Sequence, residues 1–131
     1  MNRTIIACGL LLLSLTIGCS GDGLNAVSGT VTLDGQPIEK GTIEFMPVDG
    51  KGPTAAAVIE EGAYRARVAA GPKQVRIVGY RKTGERRIVP GDASSPKIDI
   101  QEQIVPARYN TSSELHCEIG VANRHDFELA L

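Results

Sequence analysis

The chain has 131 residues and carries 14 Lys and Arg against 15 Asp and Glu, a formal net charge of −1. This balance gives no electrostatic reason to expect nucleic acid as a partner. With no Trp, three Tyr and two Phe, the chain also lacks the aromatic surface typical of carbohydrate-binding platforms. One apolar N-terminal segment precedes a remainder of the size of a single folded domain.

The N-terminal segment has the pattern of a secretory signal. Arg3 supplies a positive charge, and the 13 residues from Ile5 to Ile17 are mostly apolar. A membrane-spanning helix needs about 20 residues, whereas the apolar region of a signal peptide has about 7–15. The sequence therefore predicts a signal peptide over residues 1–18, a spacer over 19–25 and a folded domain over 26–131.

The residues before the spacer resemble the lipobox of bacterial lipoproteins, in the segment Leu15-Thr16-Ile17-Gly18-Cys19. Gly18 is the small residue expected before the cysteine, whereas Thr16 departs from the usual leucine at its position. The resemblance implies cleavage before Cys19, transfer of a diacylglyceryl group to its thiol, and acylation of the new amine by palmitate-type chains. Two or more chains anchor a protein stably in a membrane. The alternatives are a plain signal peptide with a chance cysteine, or an uncleaved anchor.

The lipoprotein resemblance also implies a location. Such proteins lie in the cell envelope and face the periplasm or the cell exterior. Ser20 stands where an Asp favours retention in the inner membrane in some lipoproteins, so we expect the outer membrane.

The three cysteines are not arranged as a disulfide framework. Cys8 belongs to the predicted leader and Cys19 to the predicted anchor, which leaves Cys117 without a partner. Cys117 alternates with Leu115 and Ile119 and is interpreted as a small buried hydrophobe. A reactive thiol is the alternative, disfavoured because we expect no His or Lys on the same face to activate it.

The remainder of the chain has the pattern of short strands separated by turns. Apolar and polar residues alternate over Val27–Leu33 and around Ile43 and Phe45, as in half-buried strands. The turn Asp34–Pro37 ends the first strand, and Ala69–Pro72 is expected to close a later hairpin. Five further strands are predicted over Ala55–Ile59, Tyr64–Val68, Lys73–Lys82, Leu115–Val121 and Asp126–Leu131. With no helical period, this pattern predicts an all-β fold, an antiparallel seven-stranded β-sandwich.

Several of these segments resemble a carboxypeptidase regulatory-like domain, which is a transthyretin-like β-sandwich. The likeness covers roughly Val27 to Leu131, and its last part resembles a closing motif of small bacterial lipoproteins that carry this domain. It implies a non-catalytic accessory domain. The matching segments are Val27–Ile38, Gly41–Phe45, Gly62–Tyr64, Ala70–Lys73, Ile104–Asn110 and Ser113–Leu115.

No catalytic or metal-binding constellation is apparent in the sequence. His116 and Glu118 share the outward face of a predicted strand, but a zinc site needs three or four ligands. His125 is the other histidine, and there is neither a Gly-rich phosphate loop nor the His-x-x-Glu pair of a zinc carboxypeptidase. The sequence therefore predicts no metal, no cofactor and no enzymatic activity.

Basic residues form the leading surface hypothesis, as a site for an anionic polymer or an acidic protein partner. If Ala69–Pro72 closes a hairpin, three of them share one exposed face, and three more follow in the next loop. The alternative is a solvated face balanced by Glu44, Glu60 and Glu61. The predicted residues are Arg65, Arg67, Arg76, Lys82, Arg86 and Arg87.

The segment Thr83–Glu114 is long for a connection between strands, and long loops on rigid scaffolds often carry recognition. A short edge strand at Lys97–Ile100 and a surface excursion pinned by Tyr109 are the alternatives within it. Together these features predict a lipid-anchored cell-envelope protein whose β-sandwich is a non-catalytic binding or structural module. The second reading is an accessory subunit that docks on an envelope hydrolase or transporter, and the third is a standalone enzyme.

Overall fold

The computed structural model of the protein describes residues 21, 23–120 and 122–131. The predicted signal peptide and Cys19 lie outside these residues. Within them the chain forms nine strands and one short 3₁₀ turn, and no helix long and apolar enough to cross a bilayer is found there. The strands are β1 (Leu24–Leu33), β2 (Gln36–Pro37), β3 (Lys40–Pro47), β4 (Ala55–Glu60), β5 (Ala63–Ala69), β6 (Gly71–Arg87), β7 (Lys97–Gln103), β8 (Leu115–Ile119) and β9 (Phe127–Leu129).

The strands form one largely antiparallel sheet that is curled into a half-barrel. The order along the sheet is β2-β1-β5-β4-β3-β6-β7, with β8 paired to the start of β6 and β9 paired in parallel to the end of β1. The predicted all-β, antiparallel architecture is confirmed, with nine strands in place of seven. The first strand begins at Leu24, two residues before the predicted start of the domain.

One face of the sheet holds the hydrophobic core. The alternation predicted for the first strands is confirmed, because Val27, Val31, Ile43 and Phe45 are buried. The polar residues that alternate with them are partly or fully exposed, as Ser28, Thr30 and Glu44 show. The ring of Tyr64 packs between two others, with centroids 5.9 Å from Phe45 and 6.5 Å from Phe127. The remaining buried side chains include Ile38, Ile59, Val68, Val75, Ile77, Val105, Ile119 and Leu129.

The hairpin between β4 and β5 is paired only next to its turn. Glu61 and Gly62 both have positive φ, 51° and 77°, as a two-residue hairpin turn requires. Ladder pairing then stops at the single pair Glu60 and Ala63. Beyond it, β4 pairs with β3 along its whole length and β5 pairs with β1. The ladder between β4 and β5 therefore has a gap beyond this pair, although the two strands remain neighbours in the sheet.

The predicted hairpin at Ala69–Pro72 is wrong. The strands β5 and β6 are consecutive in the chain but are separated in the sheet by β4 and β3. The strand β5 pairs with β1 from Ala63 to Ala69, so β6 cannot occupy that edge. The chain changes direction at Gly71, where φ is 115°. It then continues as β6, which pairs with β3 and β8.

The strand β6 is 17 residues long and extends beyond the rest of the sheet. It pairs with β3 only as far as Tyr80, and from Arg81 to Arg87 its sole ladder partner among the described strands is β7. We call this two-stranded ribbon, residues 80–103, the arm, and the rest of the described chain the body. The edge strand predicted at Lys97–Ile100 lies within β7, and every residue of β7 is exposed.

The segment after the arm returns to the body. Val105 enters the core with 4% exposure, and the buried side chain of Asn110 donates to the Val105 carbonyl at 3.0 Å. The hydroxyl of Tyr109 accepts a hydrogen bond of 3.1 Å from the Ala130 amide. The first part of the predicted loop, Thr83–Glu114, thus belongs to the arm. Its second part packs against the body and is held there in part by Tyr109.

Candidate functional site

An open groove lies on the outer face of the body, at the gap between β4 and β5. Its two adjoining parts have volumes of about 550 Å³ and 460 Å³ and share Ser28 and Arg65. We call it the arginine groove. Six of its lining residues are Ser28, Ala56, Val58, Arg65, Arg67 and Arg124.

The register of the sheet places the three arginines on one face. Ser28 is the ladder partner of Arg65 on one side and forms a parallel bridge with Arg124 on the other. Residues in register across neighbouring strands point to the same face, so Arg65, Ser28 and Arg124 form one outward row. Arg67 lies two residues along β5 and faces the same way.

The three arginines differ in their partners. Arg67 donates a hydrogen bond of 3.5 Å to the Leu24 carbonyl, and Arg124 forms an ion pair of 3.1 Å with Asp126. Asp126 in turn accepts from the Thr30 amide at 2.8 Å, and these contacts hold its pKa below the usual range. The side chain of Arg65 is exposed and makes no hydrogen bond or ion pair with any described residue. Its guanidinium is therefore available to an anion from outside.

The floor and far wall of the groove are small and apolar. Ala26, Ala56 and Ala66 line the part next to Arg67, and the side chain of Val58 is 64% exposed beside Arg65. One carboxylate, Glu60, also lines the groove. The arrangement offers fixed positive charge above a shallow apolar surface, which suits an anionic group attached to an apolar framework.

Arg76 lies apart from this groove. It is on β6, in register with Glu44 of β3, and the two side chains form an ion pair of 3.5 Å. Arg76 also donates to the Asn110 carbonyl at 3.1 Å. The charge of Arg76 is thus balanced by one of the three acidic residues that we named as balancing groups.

The other predicted basic residues lie on the arm and on two different faces of it. Lys82 forms ion pairs of 2.8 Å with both Glu85 and Asp99, and these lower the pKa of each carboxylate. Arg87 is on the same face and donates to the Ser95 carbonyl at 2.8 Å. Arg86 is in register with Ile98 and faces the opposite side. Of the six predicted basic residues, the structure therefore brings only Arg65 and Arg67 together, and Arg124 joins them in the groove. The other four predicted residues lie elsewhere.

Arg124 was not predicted as part of this surface. It follows β8 in sequence and reaches the groove only because the segment leading to β9 lies alongside β1 in parallel. The residues that meet here are 96 positions apart in the sequence, as Thr30 and Asp126 are. No local sequence pattern predicts a parallel pairing over that separation.

The two histidines are not brought together. His116 lies on β8 and its Nδ1 is 2.9 Å from the Glu114 carbonyl oxygen, whereas Nε2 of His125 is 3.1 Å from the Ala122 carbonyl oxygen. His116 and Glu118 share the exposed face of β8, as expected. In the described part of the chain no group of three or more His, Cys, Asp and Glu is placed to hold a metal ion.

Cys117 packs against the core as expected, half-buried between Leu115 and the fully buried Ile119. Burial raises the pKa of its thiol to about 11, with the charge of Glu118 as a smaller cause. The expectation that no Lys shares this face is wrong, since Lys73 is the ladder partner of Cys117 and is only 3% exposed. The nearby ammonium lowers the thiol pKa less than burial raises it, so the thiol stays protonated at neutral pH.

Comparison with known proteins gives little further identification. No protein-family model and no curated protein matches the chain. Among solved structures it is similar to a 9R-lipoxygenase from Cyanothece PCC8801, with 14% identity and a TM-score of 0.40. The likeness covers 83% of this chain, and the chain spans 16% of the length of that lipoxygenase.

That finding corrects one prediction. The similar structure is that of an enzyme, so the prediction that this chain is not an enzyme is contradicted, and we withdraw it. The exclusion relied on missing sequence motifs, but folding can assemble reactive groups without any recognisable spacing. At this TM-score the likeness assigns no reaction to the chain.

Proposed function

We propose that the protein is a lipid-anchored module of the cell envelope whose arginine groove binds an anionic group of an envelope partner. The observation that carries the proposal is Arg65, an exposed guanidinium with no described partner, placed in one outward row with Arg124 and next to Arg67. Guanidinium groups bind carboxylates and phosphates through charge-assisted hydrogen bonds.

The anchor forms part of the same proposal. The lipobox-like segment ends at Cys19, and β1 begins five residues later at Leu24, so a short tether joins the lipid to the sheet. The proposal puts the anchor in the outer membrane, because Ser20 stands where an Asp favours retention in the inner membrane in some lipoproteins. The proposal includes a transthyretin-like fold of the carboxypeptidase regulatory-like type, in which β2-β1-β5 and β4-β3-β6-β7 are the two layers. What supports it is that a single ladder pair, Glu60 with Ala63, joins β4 to β5.

Two measurements test the proposal. The intact mass of the protein extracted from its native envelope equals that of residues 19–131 plus acyl chains. An unmodified mass, or one that retains residues 1–18, contradicts the anchor.

The groove is tested with two labelled anionic polymers, poly-L-glutamate and polygalacturonate. Arg65→Glu abolishes binding to at least one of them, whereas Arg86→Glu on the arm leaves it unchanged. Because the attraction is electrostatic, binding also weakens as salt is raised. Equal binding by both variants, or binding to neither polymer, overturns the groove as the site.

The accessory-subunit function is supported by a different observation. Five of the eight exposed large hydrophobic residues of the described chain lie on the arm. Exposed apolar surface of this kind is typical of protein contacts. In that case a stoichiometric hydrolase or transporter co-purifies with the protein, and Ile98→Ser with Ile100→Ser releases it. The five are Tyr80, Ile88, Val89, Ile98 and Ile100.

A further inference from the structure

The strand β7 is the last strand of the sheet and has one free edge. It pairs with β6 from Lys97 to Gln103, and no described strand lies on its other side. Beyond Tyr80 the arm is a two-stranded ribbon, which is marginally stable in water unless further strands or a core support it. All seven residues of β7 are exposed, with Ile98 at 37% and Ile100 at 41%. The arm thus presents both a backbone edge and apolar surface.

The backbone groups of β7 have a known direction at both ends of the strand. The Ile104 amide donates to the Gly79 carbonyl at 2.9 Å, and the Ile88 amide donates to the Pro96 carbonyl at 3.0 Å. Because directions alternate along a strand, the even-numbered residues of β7 turn their N–H and C=O groups toward β6. The odd-numbered residues turn theirs to the free edge, and these are Lys97, Asp99, Gln101 and Gln103.

The usual devices that protect an edge strand are weak here. Natural edges are blunted by charged side chains, proline or bulges. The strand β7 contains no proline, and its irregularity of register lies on β6, between Lys82 and Gly84. Each of its three charged side chains is balanced within the arm by an ion pair of 2.8–3.5 Å. The pairs are Lys97 with Glu85, Asp99 with Lys82 and Glu102 with Arg81.

A second copy of β7 fits this edge in one register. Two identical antiparallel strands are related by a two-fold axis, so residue i pairs with j and j pairs with i. With Ile100 opposite its own copy, all seven residues of β7 have a partner. Lys97 is then opposite Gln103 of the second copy, and Asp99 is opposite Gln101. Both pairs join outward-directed backbone groups, so each exchanges two hydrogen bonds.

The side chains favour the same register. The two copies of Ile100 meet on one face with Ile98 as a diagonal neighbour, so apolar surface that is exposed in the single chain becomes covered. No like charges are directly opposite. A shift by two residues in one direction places Asp99 opposite its own copy, and a shift in the other direction leaves Lys97 without a partner on β7.

From these observations we propose that the protein forms a two-fold symmetric dimer through the free edge of β7. The two arms join into one four-stranded antiparallel sheet. The dimer depends neither on the arginine groove nor on the lipid anchor. Because the interface is confined to two short strands, we expect it to dissociate at micromolar concentrations, as small interfaces do.

Cysteine cross-linking of the full chain, extracted in detergent and oxidised with glutathione disulfide, tests the register. Opposed Ile100 Cα atoms form a non-hydrogen-bonded pair about 4.5 Å apart, within the range of a disulfide. Ile100→Cys therefore gives a covalent dimer. Ile98→Cys does not, because its copy lies four residues along the strand, about 13 Å away. The native chain, in which Cys117 is half-buried, gives the background.

A mixture of two variants sharpens this test. Residues 98 and 102 of different copies are opposite each other in the proposed register. Ile98→Cys mixed with Glu102→Cys therefore gives the mixed covalent dimer, whereas neither variant cross-links by itself.

A backbone variant tests the hydrogen bonds between the copies. Gln101→Pro removes an amide that points to the free edge, so the ladder with β6 is kept. Sedimentation over a concentration series shows a dissociation constant at least tenfold higher for Gln101→Pro, and less than threefold changed for Gln101→Thr. Slow exchange of the Glu102 amide, which points to β6, confirms that the arm of Gln101→Pro is intact.

The contrary outcomes are distinct. A native chain that stays monomeric up to millimolar concentration overturns the dimer, as does cross-linking of Ile98→Cys by itself as efficiently as Ile100→Cys. If the chain is monomeric and a stoichiometric hydrolase or transporter binds the arm, the surface serves the accessory-subunit function instead. Binding of anionic polymers at Arg65 is unaffected in every case, because Arg65 lies on β5.

Discussion

The body and the arm are built from the same kind of strand but are held together by different forces. In the body, alternate side chains of β3 and β6 are fully buried, with Phe45, Ile43 and Ile77 at 0% exposure. In the arm, β6 continues past Tyr80 with ladder partners on one side only, and ion pairs around Lys82 connect the two strands. One continuous strand can therefore belong to a hydrophobic core over one half and to a solvated ribbon over the other.

The largest expected difference between the two regions comes from truncating a side chain. Phe45→Ala removes a fully buried ring that packs on Tyr64, and we expect it to lower the free energy of unfolding by about 3–5 kcal/mol. Ile98→Ala on the arm is expected to change it by about 0.5 kcal/mol or less. Urea titrations of both variants measure this, and a similar loss in both would show that the arm is part of the core.

A second difference concerns the space around two strand glycines. A Cβ on Gly41 would lie 2.2 Å from the Val78 carbonyl oxygen, whereas a Cβ on Gly84 of the arm would meet nothing closer than 3.9 Å. We expect Gly41→Ala to cost about 1–3 kcal/mol, because the clash is with backbone on the neighbouring strand β6. Gly84→Ala is expected to be neutral in the same thermal or urea unfolding assay. A tolerated Gly41→Ala would mean that β3 and β6 are less closely packed than described.

A third difference concerns alkaline pH. Burial raises the pKa of Cys117 in the folded body from 9.0 to about 11, so the unfolded chain loses this proton first. Stability from this group is therefore complete below pH 9 and is lost as the pH rises toward 11. We expect a loss of about 1 kcal/mol, less than for a fully buried thiol because solvent screens a half-buried one.

The variant Cys117→Ser removes that titration. Unfolding measured at pH 8 and at pH 11 gives a smaller drop for the variant than for the native chain, while all other groups contribute equally to both. An equal drop would show that the Cys117 thiol is not shielded from solvent by the core.

The smallest expected effect is on the arm itself. Lys82 is exposed and pairs with Glu85 and Asp99, so Lys82→Gln leaves the unfolding midpoint of the body nearly unchanged. Amide hydrogen exchange in the arm becomes faster, because a two-stranded ribbon has little else to hold it. Removing the pairs raises the pKa of both carboxylates toward their usual values. A large drop in global stability would instead make the arm a structural element of the body.

The sequence predicts the body better than the arm for a physical reason. Burial of one face imposes a period of two on Val27–Leu33 and Tyr64–Val68, and that period is visible in the residue types. No face of the arm beyond Tyr80 is buried, and residues 81–87 of β6 carry no such pattern. In β7 only Ile98 and Ile100 alternate with polar residues, which is the part of the arm that was predicted as a strand. Its pairing depends on cross-strand ion pairs, which become visible only once the register is known.

The candidate site was predicted in part for a similar reason. Alternation within β5 is local and places Arg65 and Arg67 together, but the order of strands is not local. The hairpin assumed at Ala69–Pro72 brought Arg76 into the surface by mistake, and the parallel approach of Arg124 to Ser28 has no local signal.

The parallel pairing of β1 with β9 sets an order of events during synthesis. Val31 to Leu33 pair with Phe127 to Leu129, and Tyr64 donates a hydrogen bond of 2.6 Å to the His125 carbonyl. These contacts join strands at the two ends of the folded sequence, so loop closure across most of the chain must precede them. A nascent chain still lacking residues 123–131 cannot complete β1. For the export that we propose this delay is useful, because the sheet stays incomplete until the last residues have been made, and an incomplete sheet passes more readily through a narrow translocation channel.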